Sequence, residues 1–121
     1  MAQGECHCGN IRFEVTADPA WLTNCNCSMC FRLGALWGHV PVDAFRLLTP
    51  DAGMIRYVHG DQLLAVRTCT NCGCTTHYDS IYPERYPTMG VNFRMLGEDE
   101  VNRFRIRRFD GAETWQFLDE P

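Results

Sequence analysis

The stretch Leu63-Leu64-Ala65-Val66-Arg67-Thr68-Cys69-Thr70-Asn71-Cys72-Gly73 decides the fold. Leu63 to Thr68 reads as a strand that runs directly into a C-x-x-C pair, and Thr76 and Tyr78 resume an extended pattern soon after. A strand, two cysteines three positions apart, a glycine and a second strand describe a hairpin knuckle. In such a knuckle Gly73 relieves backbone crowding while the thiolates turn toward a metal.

Working outward, the eight cysteines fall into three groups: Cys6 and Cys8; Cys25, Cys27 and Cys30; and Cys69, Cys72 and Cys74. Close thiolates converge readily on one ion, whereas disulfides need a separate geometry for each pair. The spacing therefore favours metal binding over a disulfide framework or unliganded redox thiols. The segment from Met1 shows no basic region followed by an apolar run, and no stretch approaches the ~20 apolar residues of a membrane helix. A cytoplasmic protein without a membrane segment is expected.

The flanking sequence is strand-like. Ile11 to Val15 alternates apolar and charged residues; Ala35 to Val40 places Trp37 and His39 on one parity; Phe45 to Leu48 and Met54 to Val58 follow turns at Pro41, Pro50 and Gly53. Val91, Phe93 and Met95, then Phe104 and Ile106, predict two further strands. Ser28 is the expected cap of one short helical turn, and no long amphipathic helix is present. The 121 residues, 45% of them hydrophobic, fit one domain over 1–121 built mainly from antiparallel β-structure. Fifteen acidic residues against eleven basic ones, all arginine, argue against nonspecific nucleic-acid binding. The run Arg103-Phe104-Arg105-Ile106-Arg107-Arg108 is read as a strand with Phe104 and Ile106 inward and most charges in water. Oligomeric state is left open.

Gly4-Glu5-Cys6-His7-Cys8-Gly9 with Ile11-Arg12-Phe13, Cys25-Asn26-Cys27-Ser28-Met29-Cys30 before Arg32 and Gly34-Ala35, Cys69-Thr70-Asn71-Cys72-Gly73, Val91-Asn92-Phe93-Arg94, and Phe109-Asp110-Gly111 together resemble one family. It is the glutathione-dependent formaldehyde-activating enzyme and centromere-protein-V-like family, with a small zinc-containing Mss4-like β fold. The resemblance spans 4–115 and implies two Zn2+ ions per chain. It implies a closed structural site at Cys6, Cys8, Cys69 and Cys72, and an open catalytic site at Cys25, Cys27 and Cys30. The implied activity is that of a zinc-dependent carbon-sulfur lyase acting on glutathione, or a related small thiol, and its formaldehyde adduct. A noncatalytic zinc-dependent carrier of the thiol is the alternative, and an exchange-factor-like role is less supported.

Cys74 departs from the resembled pattern. It could close the Cys25/Cys27/Cys30 site, border the first site without ligating, or pack as a small apolar thiol. Arg32 and Arg94 are the candidates to hold a ligand carboxylate, because guanidinium pairs with it through two hydrogen bonds. His77, beside Tyr78, is a candidate proton carrier. His7, His39 and His59 are expected to be structural or on the surface. Tyr82, Arg85 and Tyr86 form an aromatic loop that could cover a pocket.

Overall fold

The computed structural model describes residues 1–119, and the chain is mainly β. Among the described residues, ten strands make two sheets. In the smaller, β1 (Ala2–Glu5), β2 (Arg12–Val15) and β5 (Phe45–Leu47) lie in the order β1-β2-β5. The larger adds β3 (Leu22–Cys25), β4 (Trp37–Pro41), β6 (Met54–Val58), β7 (Leu64–Cys69), β8 (Thr75–Ser80), β9 (Thr88–Asn92) and β10 (Ile106–Phe109), in the order β10-β3-β4-β9-β8-β7-β6. Every pairing is antiparallel except β10 with β3. Helices are short: α1 spans Ser28–Leu33 and α2 spans Glu98–Val101. Among the described residues no helix is long and apolar enough to cross a membrane.

Strand alternation gives the large sheet two different faces. Leu22, Val40, Met89 and Val91 join Phe13 and Val15 of β2 in the main core, so this face packs with the small sheet. Burying a side chain such as Phe13 or Leu22 contributes roughly 1.5–3 kcal/mol. Cys25, Trp37 and Tyr78 turn the other way and gather beneath α1 and Phe109. The parity read for Trp37 and His39 holds, since both border the cavity on this second face.

Three departures from expectation have local causes. β1 carries no apolar alternation; it pairs with β2, with Gly4 opposite Phe13, where a Cβ would come within 2.5 Å of Phe13 Cζ. The strand predicted through Val91, Phe93 and Met95 stops at Asn92 and continues as a 3-10 turn over Phe93–Leu96. Buried Asn92 causes the change: its Oδ1 accepts from Leu36 N at 3.2 Å and Arg94 N at 3.3 Å, while Nδ2 donates to Thr75 O at 2.8 Å. Finally, β10 turns Arg107 inward and leaves Ile106 exposed, the reverse of the predicted polarity. Arg107 Cζ lies 3.9 Å from the Phe117 ring centre and 4.5 Å from that of Trp21, and Nε donates to Asp119. Stacking and pairing together compensate its desolvation.

Gly90 lets the second face close down. The Tyr78 ring crosses the β9 backbone there, and a Cβ on Gly90 would stand 2.0 Å from Tyr78 Cε2. Gly90→Ala is expected to destabilise the fold by about 1–3 kcal/mol through overpacking. Chemical denaturation would check this; wild-type stability would mean that the ring has room to move aside.

Candidate metal centres and the sulfur cavity

The loop between β1 and β2 carries Cys6 and Cys8, Cys69 ends β7, and the turn that follows toward β8 carries Cys72. Gly9 and Gly73 turn these loops with φ of 78° and 80°, conformations glycine adopts without a Cβ clash. The four sulfurs all lie within 4.8 Å of one another. Cys6 to Cys8 and Cys8 to Cys69 are each 3.7 Å. A tetrahedron with ~2.3 Å zinc–sulfur bonds places its sulfurs ~3.8 Å apart, so this donor set fits zinc closely. Backbone N–H groups donate to the sulfurs, from Ile11 to Cys6 at 3.2 Å and from Asn71 to Cys69 at 3.4 Å. Backbone donation from Cys74 and Cys8 lowers the Cys72 thiol to about 5, while burial pushes Cys6 up to about 11.

Cys74 belongs to this neighbourhood without joining the sulfur set. It packs with the cluster of Cys6, Ile11 and Cys69, and its backbone serves Cys72 and Cys69. It does not border the second thiol group, so it does not close that site. His7 is exposed and His77 is buried elsewhere.

The second set is Cys25 at the end of β3 with Cys27 and Cys30 around the start of α1, its sulfurs again within 4.8 Å of one another. The expected Ser28 cap is replaced by Cys27, whose Sγ accepts from Cys30 N at 3.3 Å. Trp37 Nε1 donates to Cys30 Sγ at 3.3 Å. Hydrogen bonding from Cys30, followed by the backbone N–H groups of Cys27 and Gly111 acting against burial, lowers Cys25 to about 6. Its partner Cys30 is raised by the same hydrogen bond and by burial. The arrangement favours thiolate at Cys25 and offers three convergent soft donors to a metal.

Unlike the first set, these three cysteines border a cavity of about 770 Å3. Trp21, Trp37, Tyr78, Phe109, Trp115 and Phe117 contribute its rings, and the turn at His59, Gly60 and Asp61 forms part of its rim. Burial pushes the Tyr78 phenol up, keeping Oη protonated at neutral pH.

The loop after β10 fastens onto the thiol segment. Asp110 Oδ1 accepts from Asn26 Nδ2 at 3.1 Å, Oδ2 accepts from Thr114 Oγ1 at 2.9 Å, and Asn26 Oδ1 accepts from Ala112 N at 3.0 Å. Gly111 thereby lies over Cys25, where a Cβ would approach Sγ to 2.7 Å. The motif Phe109-Asp110-Gly111 was visible in the sequence, but its local pattern did not disclose this clamp between segments 84 positions apart.

Arg32 and Arg94 are not brought to the cavity lining. Arg32 Nη1 donates to Ser28 O at 2.9 Å and Arg94 Nε to Gly34 O at 3.1 Å, so both guanidinium groups serve the ends of the α1 segment. His77 also faces away: its ring lies 4.6 Å from that of Phe45, Nδ1 bonds Thr76 Oγ1 at 2.8 Å, and Nε2 stands 3.5 Å from Asp79 Oδ1. Adjacent strand residues point oppositely, which separates His77 from the cavity that Tyr78 borders. Arg85 lies over Tyr82 and Tyr86, and that loop does not line the cavity.

Gly111→Ala is expected to weaken metal retention at Cys25, Cys27 and Cys30 by about 10–100-fold. The four-cysteine set should retain its metal. Chelator competition with metal counting checks this, and equal retention by wild type and variant would remove Gly111 from the support of that set.

A crystal structure of a Rhodobacter sphaeroides protein matches with a TM-score of 0.67 at 25% identity, covering 86% of this chain and 98% of that one. The family model for glutathione-dependent formaldehyde-activating enzyme matches residues 1–105. With both cysteine sets inside that match, the chain belongs to the glutathione-dependent formaldehyde-activating enzyme family.

Proposed function

We propose that the protein is a zinc-dependent carbon-sulfur lyase that joins a small thiol to formaldehyde and reverses the reaction. Glutathione is the thiol named by the family description. The observation carrying this reading is the contrast between the two sulfur sets: four donors form a compact group, whereas only three border the 770 Å3 cavity. Zinc at Cys25, Cys27 and Cys30 would supply a Lewis-acid position for a substrate thiol and lower its pKa. In this reading Cys6, Cys8, Cys69 and Cys72 hold a second, structural zinc.

The chain's own groups would do the remaining work. The ring-lined cavity limits water around the reacting pair, which strengthens hydrogen bonds made inside it. Protonated Tyr78 Oη is a donor for the aldehyde oxygen as negative charge develops there. The addition forms one S–C bond, the carbonyl becomes a hydroxyl, and the proton lost by sulfur ends on that oxygen; cleavage reverses each change. Arg32 and Arg94 remain proposed carboxylate contacts, which would require their guanidinium groups to leave the carbonyls of Ser28 and Gly34.

Native mass spectrometry with metal analysis is expected to find two zinc ions per chain. Cys72→Ser should lose one ion and become protease-sensitive, whereas Cys27→Ser should lose the other with a smaller effect on folding. Unchanged stoichiometry in Cys72→Ser would reject its role as a ligand.

Adduct formation and cleavage should run faster with the loaded wild type than with Cys27→Ser or buffer alone. Binding without such acceleration would replace the lyase reading with that of a thiol carrier.

A further inference from the structure

The cavity beside Cys25, Cys27 and Cys30 is much larger than a hydroxymethyl group, and its walls poorly match a peptide thiol with two carboxylates. Its volume of about 770 Å3 falls within the ~300–1,000 Å3 typical of pockets for sizeable organic ligands. Among the described residues, six tryptophan, tyrosine and phenylalanine rings and two histidines border it and no arginine does, and the chain contains no lysine. The guanidinium packed over two of these rings, Arg107, directs Nε to Asp119. Among the described residues, the acidic side chain bordering the cavity is Asp61. A carboxylate entering would lose water without meeting a guanidinium or ammonium group; the imidazoles on the lining are His39, which burial holds toward its neutral form, and His59 on the rim. Three of the rings, Phe109, Trp115 and Phe117, come from beyond residue 105, where the family match ends. Trp115 is 70% exposed and has a left-handed backbone with φ of 59°, yet its ring meets Phe109 edge-on at 5.1 Å. The loop therefore presents an apolar surface at the cavity.

We infer that this site selects a sulfur ligand bearing an aromatic group and lacking carboxylates. The ligand ring stacks among the cavity rings while its sulfur faces the three cysteines. This inference rests on the proposed thiol chemistry of the site but replaces the carboxylate-bearing ligand, leaving Arg32 and Arg94 on the carbonyls of Ser28 and Gly34. The ring can belong to the thiol or to an aromatic aldehyde added to it. In the second case RSH and ArCHO form R–S–CH(OH)Ar: one S–C bond forms, the carbonyl becomes a hydroxyl, and the thiol proton resides on its oxygen. Nothing is oxidised or reduced.

The test titrates zinc-loaded protein with phenylmethanethiol, glutathione and 2-mercaptoethanol, following tryptophan fluorescence. In the cobalt-substituted protein, a change in the sulfur-to-metal charge-transfer band already given by the cysteines reports sulfur arrival. Phenylmethanethiol should bind about tenfold more tightly than either other thiol, a gap of about 1.4 kcal/mol. A parallel arm compares 2-mercaptoethanol with benzaldehyde against 2-mercaptoethanol with formaldehyde; tighter binding of the benzaldehyde pair supports a ring supplied by the carbonyl component. Trp115→Ala, at an exposed position, should lower affinity for phenylmethanethiol more than for 2-mercaptoethanol. Ala112→Arg, also exposed, should shift preference toward glutathione. If glutathione binds wild type more tightly than both aromatic combinations, the substrate-class inference is overturned while the thiol-site reading stands. If no thiol alters the charge-transfer band, the thiol-site reading fails and this inference falls with it.

Discussion

Four sulfur atoms at the ends of two hairpins are the constraint on which the rest of the structure depends. Cys6 and Cys8 close the β1–β2 hairpin of the small sheet, and Cys69 and Cys72 close the β7–β8 hairpin of the large one. Their meeting joins segments 61 positions apart and fixes how the sheets approach. Burial raises the Cys6 thiol while backbone N–H groups favour thiolate at Cys72. Their assembly therefore supplies both a fold constraint and a chemical reason to bind a soft, positively charged ion.

From that junction the large sheet does two jobs through alternation. One parity seals the core with Phe13 and Val15, while the other displays Cys25, Trp37 and Tyr78. Gly90 makes the second parity possible by leaving space for the tyrosine ring. The cavity is consequently a product of strand order as much as of its lining residues. Parallel pairing of β10 with β3 delivers Phe109 opposite Cys25 and carries the following loop over the thiols.

What could be read from the sequence was mostly local. Cysteine spacing and Gly73 exposed the knuckle, and the turns at Pro50 and Gly53 marked off Met54–Val58 with the bounds the strand has. Side chains that answer to distant partners were harder to place. Asn92 ends a strand because Leu36 and Thr75 meet it, and Arg107 is buried because Trp21, Phe117 and Asp119 accommodate it. Arg32 and Arg94 have suitable chemistry for a carboxylate, but sequence chemistry has no direction; nearby main-chain carbonyls capture both groups. His77 and Tyr78 are neighbours in sequence yet lie on opposite sides of a sheet, a distinction supplied by parity once the strand is established.

The hydrogen bonds joining Asn26, Asp110 and Ala112 also impose thermodynamic reciprocity between the thiol segment and the end of the chain. Whatever free energy the ordered loop contributes to a metal held by Cys25 is returned by that metal as added stability of the loop. The terminal segment is thus energetically part of the sulfur centre although it supplies no sulfur. Loading and chain order become two readings of one equilibrium, and a change far along the chain can be felt as a change in metal affinity.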